Sequence, residues 1–454
     1  MKLQTTGAGV IAVMLLSFLG RDATASTIVG SKNDPYFQQP LQIAGLRAAD
    51  EGSAFVLGLG ANGQVTNISP YSYASELNPP PGLSNVIAIS VNVFGALALT
   101  SNGTIVSWGN IPGIVPTNLT NVVAVSAGQT ECLALQSNGT VVSWGNSSIV
   151  PDGLSNVVAI STGSGNYALE ANGTIVSWGS GGGPTTDVSN AIAISASKEN
   201  NGAIALLANG TVVGLNIVAP TNLLPAGVTN TVAIAGSTES LMALQANGTV
   251  VAAGSSRPSF LQAVSNVYYL SPFVFDSSTV VVEGDGWPVF TVQPGNQTAG
   301  TGGTIYLHAR AVASQSISYQ WQLNGINIAG ATNDDLIITN ATQSNAGKYQ
   351  ALITSGFGFA SSSVATVTVL PLTRIPILLN VSLLQPNDLI ATANASNGAP
   401  FALTNPALFT IEASTDLVNW VVLTQNWGLI NGGIELGKSN LGNGSMEFYR
   451  LLRQ

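Results

Sequence analysis

One phrase is written three times almost unchanged: ALALTSNGTIVSWG (Ala96–Gly109), CLALQSNGTVVSWG (Cys132–Gly145) and NYALEANGTIVSWG (Asn166–Gly179). Weaker copies follow at AIALLANGTVVGLN (Ala203–Asn216) and LMALQANGTVVAAG (Leu241–Gly254), with faint ones at VLGLGANGQV (Val56–Val65) and TVVVEGDGWPV (Thr279–Val289). The residues before the central glycine are Asn62, Asn102, Asn138, Asn172, Asn209, Asn247 and Asp285, so the steps are 40, 36, 34, 37, 38 and 38 residues. A second phrase precedes each of the last six markers: SNVIAIS, TNVVAVS, SNVVAIS, SNAIAIS, TNTVAIA and SNVYYLS, starting at Ser84, Thr120, Ser155, Ser189, Thr229 and Ser265. Such a chain is a series of one unit, and its fold must be one that stacks copies.

Each unit reads as strands. Its apolar residues alternate or run in short stretches rich in Val and Ile, and no unit holds a helix-length amphipathic segment. Between two runs sits Asn-Gly, which predicts a type I′ hairpin turn with positive φ at both residues. A period in the high thirties with several strands per copy predicts an all-β fold, a seven-bladed β-propeller over residues 41–290. Seven blades closed into a ring leave no sheet edge open.

The order of phrases, SNVVAIS, a Gly-containing loop, LAL, NGT and VSWG, resembles the repeat of the regulator of chromosome condensation family. Short blades that end in a Pro-containing link (Val115-Pro116, Val150-Pro151) look most like the secreted subgroup that contains the propeller-type beta-lactamase inhibitory protein. The family often carries His before the LAL strand, and this chain has none there. The Trp of VSWG is replaced by Leu215 and Ala253 in copies four and five. The resemblance implies the propeller fold; no family activity travels with it.

After Phe290 the period stops. GTIYLHARA (Gly303–Ala311), YQWQLNG (Tyr319–Gly325) and DLIITNATQSNAGKYQALI (Asp335–Ile353) resemble a bacterial immunoglobulin-like sandwich over residues 291–371, with a fibronectin-like sandwich as the alternative. The resemblance implies that Trp321 and Tyr349 are its core aromatics, and that Ala309 and Ala351 stand where antibody domains carry their cysteines. Residues 372–454 read as a Pro-punctuated linker followed by a C-terminal block whose phrases FTIEASTDLVNW (Phe409–Trp420) and MEFYRLL (Met446–Leu452) resemble a small all-β module that closes many secreted bacterial proteins.

Residues 1–25 read as a signal peptide: Lys2, an apolar run over Val10–Leu19, and the small residues Ala23-Thr24-Ala25 before a cleavage point. Residues 26–40 read as a linker. Export of the bacterial type, to the cell surface or the medium, is the expected localisation, with no membrane span after cleavage. The net charge of −9, and three basic against twelve acidic residues within 41–290, argue against nucleic acid as a partner.

Chemistry is hard to find in this chain. His308 is the only histidine and Cys132 the only cysteine, in different segments, so neither a His-based nucleophilic site nor a His-ligated metal site can be assembled. GLGANG (Gly58–Gly63) matches G-x-G-x-x-G, but a strand follows it where a dinucleotide site needs a helix N-terminus. No cofactor is called. The loops between VAIS and LAL carry Glu131, Glu199, Glu239 and Asp276, together with the aromatics Phe94, Tyr167, Phe273 and Phe275. Equivalent loops of a propeller share one rim, so these eight residues are the candidate binding face for an extracellular protein or glycan. Solvation of exposed loops accounts for the acids equally well. A secreted hydrolase using propeller carboxylates and an inhibitor of a beta-lactamase-like enzyme are the alternatives. The reading of export has a direct check: N-terminal sequencing of secreted material should start near Ser26, whereas a soluble product keeping Met1 would refute it.

Overall fold

A computed structural model describes residues 26–29, 41–43, 45–52, 55–68, 77–146, 149–179, 188–197, 202–215, 228–236, 240–254, 264–271 and 281–371, and beyond them only the strands within 378–453. The chain is all-β, built of many small antiparallel sheets. Among the described residues no helix is long and apolar enough to cross a membrane.

The chain divides into two compact units. The first joins Met1–Thr298, Ile305–Ile338 and Ala346–Thr368, so the repeats and most of the block after Phe290 belong together. The second joins Ala299–Thr304, Thr339–Asn345 and Val369–Gln454. Within it, Leu378–Gln385, Asp388–Asn394, Gly433–Leu436 and Trp427–Ile430 form one sheet, and Val421–Val422, Phe409–Ser414 and Phe448–Arg453 another.

In the first unit each repeat forms one sheet. The second to sixth sheets each have three strands in chain order: Val86–Val91, Gly95–Thr100 and Ile105–Gly109; Val122–Ala127, Glu131–Gln136 and Val141–Gly145; Val157–Thr162, Asn166–Glu170 and Ile175–Trp178; Ala191–Ala196, Ala203–Leu207 and Val212–Leu215; Thr231–Gly236, Ser240–Gln245 and Val250–Gly254. The first sheet is Leu46–Glu51, Val56–Gly60 and Val65–Asn67. The seventh departs from the expected linker at 26–40. Its own strands Val267–Leu270 and Val281–Glu283 are completed by Ser26–Val29, which pairs with Val281–Glu283 on one side and Leu41–Ile43 on the other. The β-branched run Thr27-Ile28-Val29 is strand-forming by composition. The last sheet also meets the first: Tyr268 donates its hydroxyl to the carbonyl of Leu46 at 2.8 Å, and Leu57, Leu59, Tyr269 and Val281 share one core.

The repeated phrases explain this packing. In all seven sheets the register between first and middle strands slips by one, leaving Arg47, Ile87, Val123, Val158, Ile192, Val232 and Tyr268 unpaired. This is a β-bulge at the second residue of each first strand, and it re-aims that residue toward a neighbour. The serine of VAIS joins one sheet to the next. Ala127 N–H donates to Ser90 Oγ, Thr162 N–H to Ser126 Oγ and Ala196 N–H to Ser161 Oγ, at 2.9–3.0 Å. In the first sheet Asp50 takes the serine's place and accepts from Val91 N–H at 2.7 Å.

The Asn-Gly turns differ from the expected type I′. Asn102 and its equivalents keep negative φ, and only the glycines are positive. Gly103 N–H donates to Thr100 O, and Thr100 N–H to Thr104 O, both at 2.9 Å, which defines a three-residue loop ending in a left-handed glycine. Asn is chosen here as an acceptor: Asn102 Oδ1 takes the N–H of Thr104, and Asn138, Asn172, Asn209 and Asn247 repeat the bond two residues on. Within the repeats the positive-φ asparagines are those of the other phrase: Asn85, Asn121, Asn156, Asn190, Asn230 and Asn266, at 50–59°.

In the second β block, Ser318–Leu323 pairs with Gly347–Ser355, which pairs in turn with Ala365–Leu370 and Gly358–Ser361. Trp321 is fully buried opposite Ala351, with its indole N–H on Asn333 O at 2.9 Å. Ala309, Tyr349 and Ala351 are equally buried, so aliphatic and aromatic packing fills this core without sulfur.

Among the Asn-Gly turns Gly173 makes the tightest approach. Its φ is +86°, and a Cβ there would stand 2.6 Å from the backbone of Asn190 in the next sheet. Gly153 has the same left-handed backbone (φ +89°) with nothing within 4 Å. Gly173→Ala should cost about 2–4 kcal/mol, strain plus overpacking, and Gly153→Ala about 1–2 kcal/mol from strain alone. Urea melts separate the two; equal losses would show that the approach between sheets is not a constraint.

Candidate functional site

Each three-stranded sheet of the repeats has two ends. At one lies the loop between the first and middle strands; at the other lies the turn between the middle and third, Asn-Gly in every one. The loop end holds the residues expected to bind, and the structure sorts them. Phe94 is exposed, at 53% of its surface, on a loop held by Asn92, whose Oδ1 accepts from Phe94 N–H and whose amide donates to Gly128 O of the next sheet.

Glu131 and Tyr167 are corrected. Tyr167 is fully buried, packed with Ala159, Leu169, Ala196 and Ala203. In the repeat register it takes the position of Leu97 and Leu133, the first Leu of LAL, which points into the space between sheets. Glu131 opens a strand rather than lying in a loop, and only 6% of it is exposed. Its Oε2 accepts from Asn166 Nδ2 of the following sheet, while Asn166 Oδ1 accepts from Thr162 Oγ1 at 2.6 Å. This carboxylate is spent on joining sheets. Glu199, Glu239, Phe273, Phe275 and Asp276 lie outside the described residues.

The loop end carries two apolar residues that the sequence reading passed over. Ile114 and Ile149, 87% and 86% exposed, stand in the links that lead from one sheet to the next. Gly113, just before Ile114, lies against Gly145, the partner of Glu131 at the loop end of the third sheet. In both links the following Val115 or Val150 packs inward, so Ile-Val-Pro sends the isoleucine out. The signal was the alternation in Ile114-Val115-Pro116 and Ile149-Val150-Pro151.

The Asn-Gly end is engaged by the second β block. Asn156 and Thr298 exchange two hydrogen bonds at 2.8 and 2.9 Å, Asn296 Nδ2 donates to Ser137 O, and Ala313 N–H donates to Ala246 O. The bulged residues take part: Val158 packs on Gly295, and Val232 O accepts from Thr291 Oγ1. Arg310 is the charged member of this contact. Its guanidinium donates to Ala208 O of the fifth sheet, to Ala309 O and to both oxygens of Asp335, and its Nε pairs with Asp334 at 3.3 Å. His308 Nδ1 meets Asp335 Oδ1 at 2.8 Å, so the one histidine belongs to this structural cluster.

Cys132 is buried, and burial pushes its thiol up to about 12, which keeps it protonated and inert. Asp50 bonds Val91 N–H and Glu51 N–H, and Tyr269 beside it is pushed well above the usual phenol value by burial and then by that negative charge. Among the described residues no group of three or more His, Cys, Asp or Glu could hold a metal ion.

No known protein family matches the sequence, and no curated protein matches it. Among solved structures, the computationally designed Ika8 protein aligns over 62% of this chain and 98% of its own, at 17% identity and a TM-score of 0.39. The N-terminal Ig1-2 module of the Drosophila receptor protein tyrosine phosphatase DLAR aligns over 29% and 89%, at 16% identity and a TM-score of 0.18. Likenesses this distant say nothing of what the chain binds.

The Arg310 cluster makes a pH prediction. Burial raises the Asp335 carboxyl, but hydrogen bonds from His308 and Arg310 and their charges outweigh it, leaving it lowered from 3.8 to about 2. A depressed acid stabilises the fold above its unfolded value and loses that contribution as pH falls through the folded one. Asp335→Asn should therefore cost about 2 kcal/mol at pH 7. The gap between wild type and variant should close between pH 4 and 2, as read from urea melts across that range.

Proposed function

We propose that the chain is an exported, non-catalytic binding protein that seizes a partner protein with the loop face of its repeats. In this reading the seven sheets are blades of a propeller of the chromosome-condensation-regulator type. Ser26–Val29 closes the ring, and the block after Val289 is an immunoglobulin-like sandwich. Support for closure comes from the pairing of Ser26–Val29 with Val281–Glu283 and from the bond between Tyr268 and Leu46. Support for the sandwich comes from the buried Trp321 opposite Ala351.

The observation that carries the function is the contrast between the two ends of the sheets. The Asn-Gly end is taken up by the second block, while the loop end presents Phe94, Ile114 and Ile149 to solvent. Large apolar side chains on neighbouring units, set on a repeated scaffold, are anchors for another protein surface. With Glu131 turned inward, apolar contact rather than negative charge is the main attraction, so added salt should weaken binding little.

The test is capture from the medium of the producing cells, followed by affinity measurement with variants. Phe94→Ala, Ile114→Ala and Ile149→Ala should leave the melting curve unchanged. At least one should weaken the captured protein by roughly 30-fold, the value of a 2 kcal/mol hot spot. If all three bind like wild type, while substitutions on the second block abolish capture, the loop-face reading is wrong.

A further inference from the structure

A second cleft lies at the other end of the sheets. Where the turns of the fifth and sixth sheets meet the second β block there is a cavity of about 420 Å³, lined by Asn209, Asn247, Arg310, Gln315, Tyr319 and Asp334 among others. That volume is in the range of small-molecule sites, roughly 300–1,000 Å³. It is also far from the loop end, so nothing about it depends on the reading given above.

The lining defines the chemistry. Arg310 cannot serve an anion, because each of its three guanidinium nitrogens already has a protein partner: Asp335 and Ala309 at one, Asp335 and Ala208 at another, Asp334 at the third. The positive charge is matched on the spot. Asn209 and Asn247 have committed their oxygens, to Thr211 N–H and Thr249 N–H, which leaves their amide N–H groups as donors at the cleft. Gln315 is exposed and adds an amide that donates and accepts. Asp334, its side chain 45% exposed, brings an acidic acceptor. Tyr319 brings an aromatic ring, and burial and then the Asp334 charge push its phenol upward, so it stays neutral.

Amide donors, a carboxylate acceptor already partnered with a guanidinium, and one aromatic ring together suit a ligand that is uncharged, rich in hydroxyls and flat on one side. We propose that this cleft binds a neutral saccharide, with Tyr319 as its apolar platform and Asn209, Asn247, Gln315 and Asp334 hydrogen-bonding its hydroxyls. An anionic sugar would face Asp334 with no free cation to offset it. A flat, uncharged ring with hydroxyls at its rim satisfies both the donors and the acceptor at once, leaving no buried group unpaired.

The experiment is calorimetric titration of the full chain with neutral pentasaccharides of glucose, xylose and mannose, with an oligoglucuronate and trilysine as charged probes. At least one neutral pentasaccharide should bind with Kd below about 1 mM. Tyr319→Ala should weaken it about 10-fold or more, Tyr319→Phe should retain it, and Phe94→Ala at the loop end should change nothing. Should Tyr319→Ala fail to fold, Gln315→Ala, on an exposed residue, should weaken binding at least about threefold with an unchanged melt. No neutral pentasaccharide binding at about 10 mM, equal affinity in Tyr319→Ala and wild type, or preference for the oligoglucuronate or trilysine would each overturn the proposal. Because Phe94→Ala bears only on the loop face, failure here leaves the loop-face reading standing, and failure there leaves this one.

Discussion

The first unit depends on how closely the backbone of one repeat approaches the next. Ser Oγ of one sheet accepts a backbone N–H of its neighbour three times in succession, and Asp50 does so once. At the other end of the same sheets the turn glycine lies against the following asparagine, and Ala191 N–H reaches Gly173 O. Each such bond is worth about 1 kcal/mol net, and breaking one strands a buried N–H at greater cost. At these four interfaces two joints, one at either end, hold both position and tilt. Apolar packing between them is non-directional and could not do so alone.

This joint explains which residues are free for anything else. The polar groups that look functional in the repeats are largely consumed by it: Glu131 by Asn166, Asp50 by Val91, and the turn asparagines by their own threonines. The bulge that recurs in each first strand gives a second surface. Val158 and Val232, left out of the ladder, make contacts with Gly295 and Thr291 of the following block. One end of the sheets is thereby engaged, and the large apolar residues exposed at the other, Phe94, Ile114 and Ile149, sit in a loop and two links rather than in the repeated phrases.

Much of this was readable in advance where residue identity and local backbone decide the outcome. The strands and the turn positions follow from alternation and glycine, and the core roles of Trp321 and Ala351 were implied by the resemblance to an immunoglobulin-like sandwich. Two errors share another cause. Tyr167 was assigned to the loop before the LAL strand, yet its register with Leu97 and Leu133 was available in the same phrase. Glu131 resembled a surface acid because carboxylates are costly to bury unpaired; its partner, Asn166, lies 35 residues away in the next repeat. The turn asparagines were assigned the right residue for the wrong reason, a side-chain acceptor in place of a positive φ.

By itself the sequence determined an all-β chain of repeated sheets, because a period of about 37 residues, β-branched runs and Asn-Gly pairs act locally and reappear in every copy. Only the tertiary structure decided that Ser26–Val29 completes the last sheet, that Arg310 of one block reaches Ala208 of another, and that Ile114 and Ile149 face outward. Each of these joins residues far apart in the chain or turns on which neighbour fills the space beside a strand. Hydrogen-bond partners and burial at long range are set by packing, and no local pattern records them.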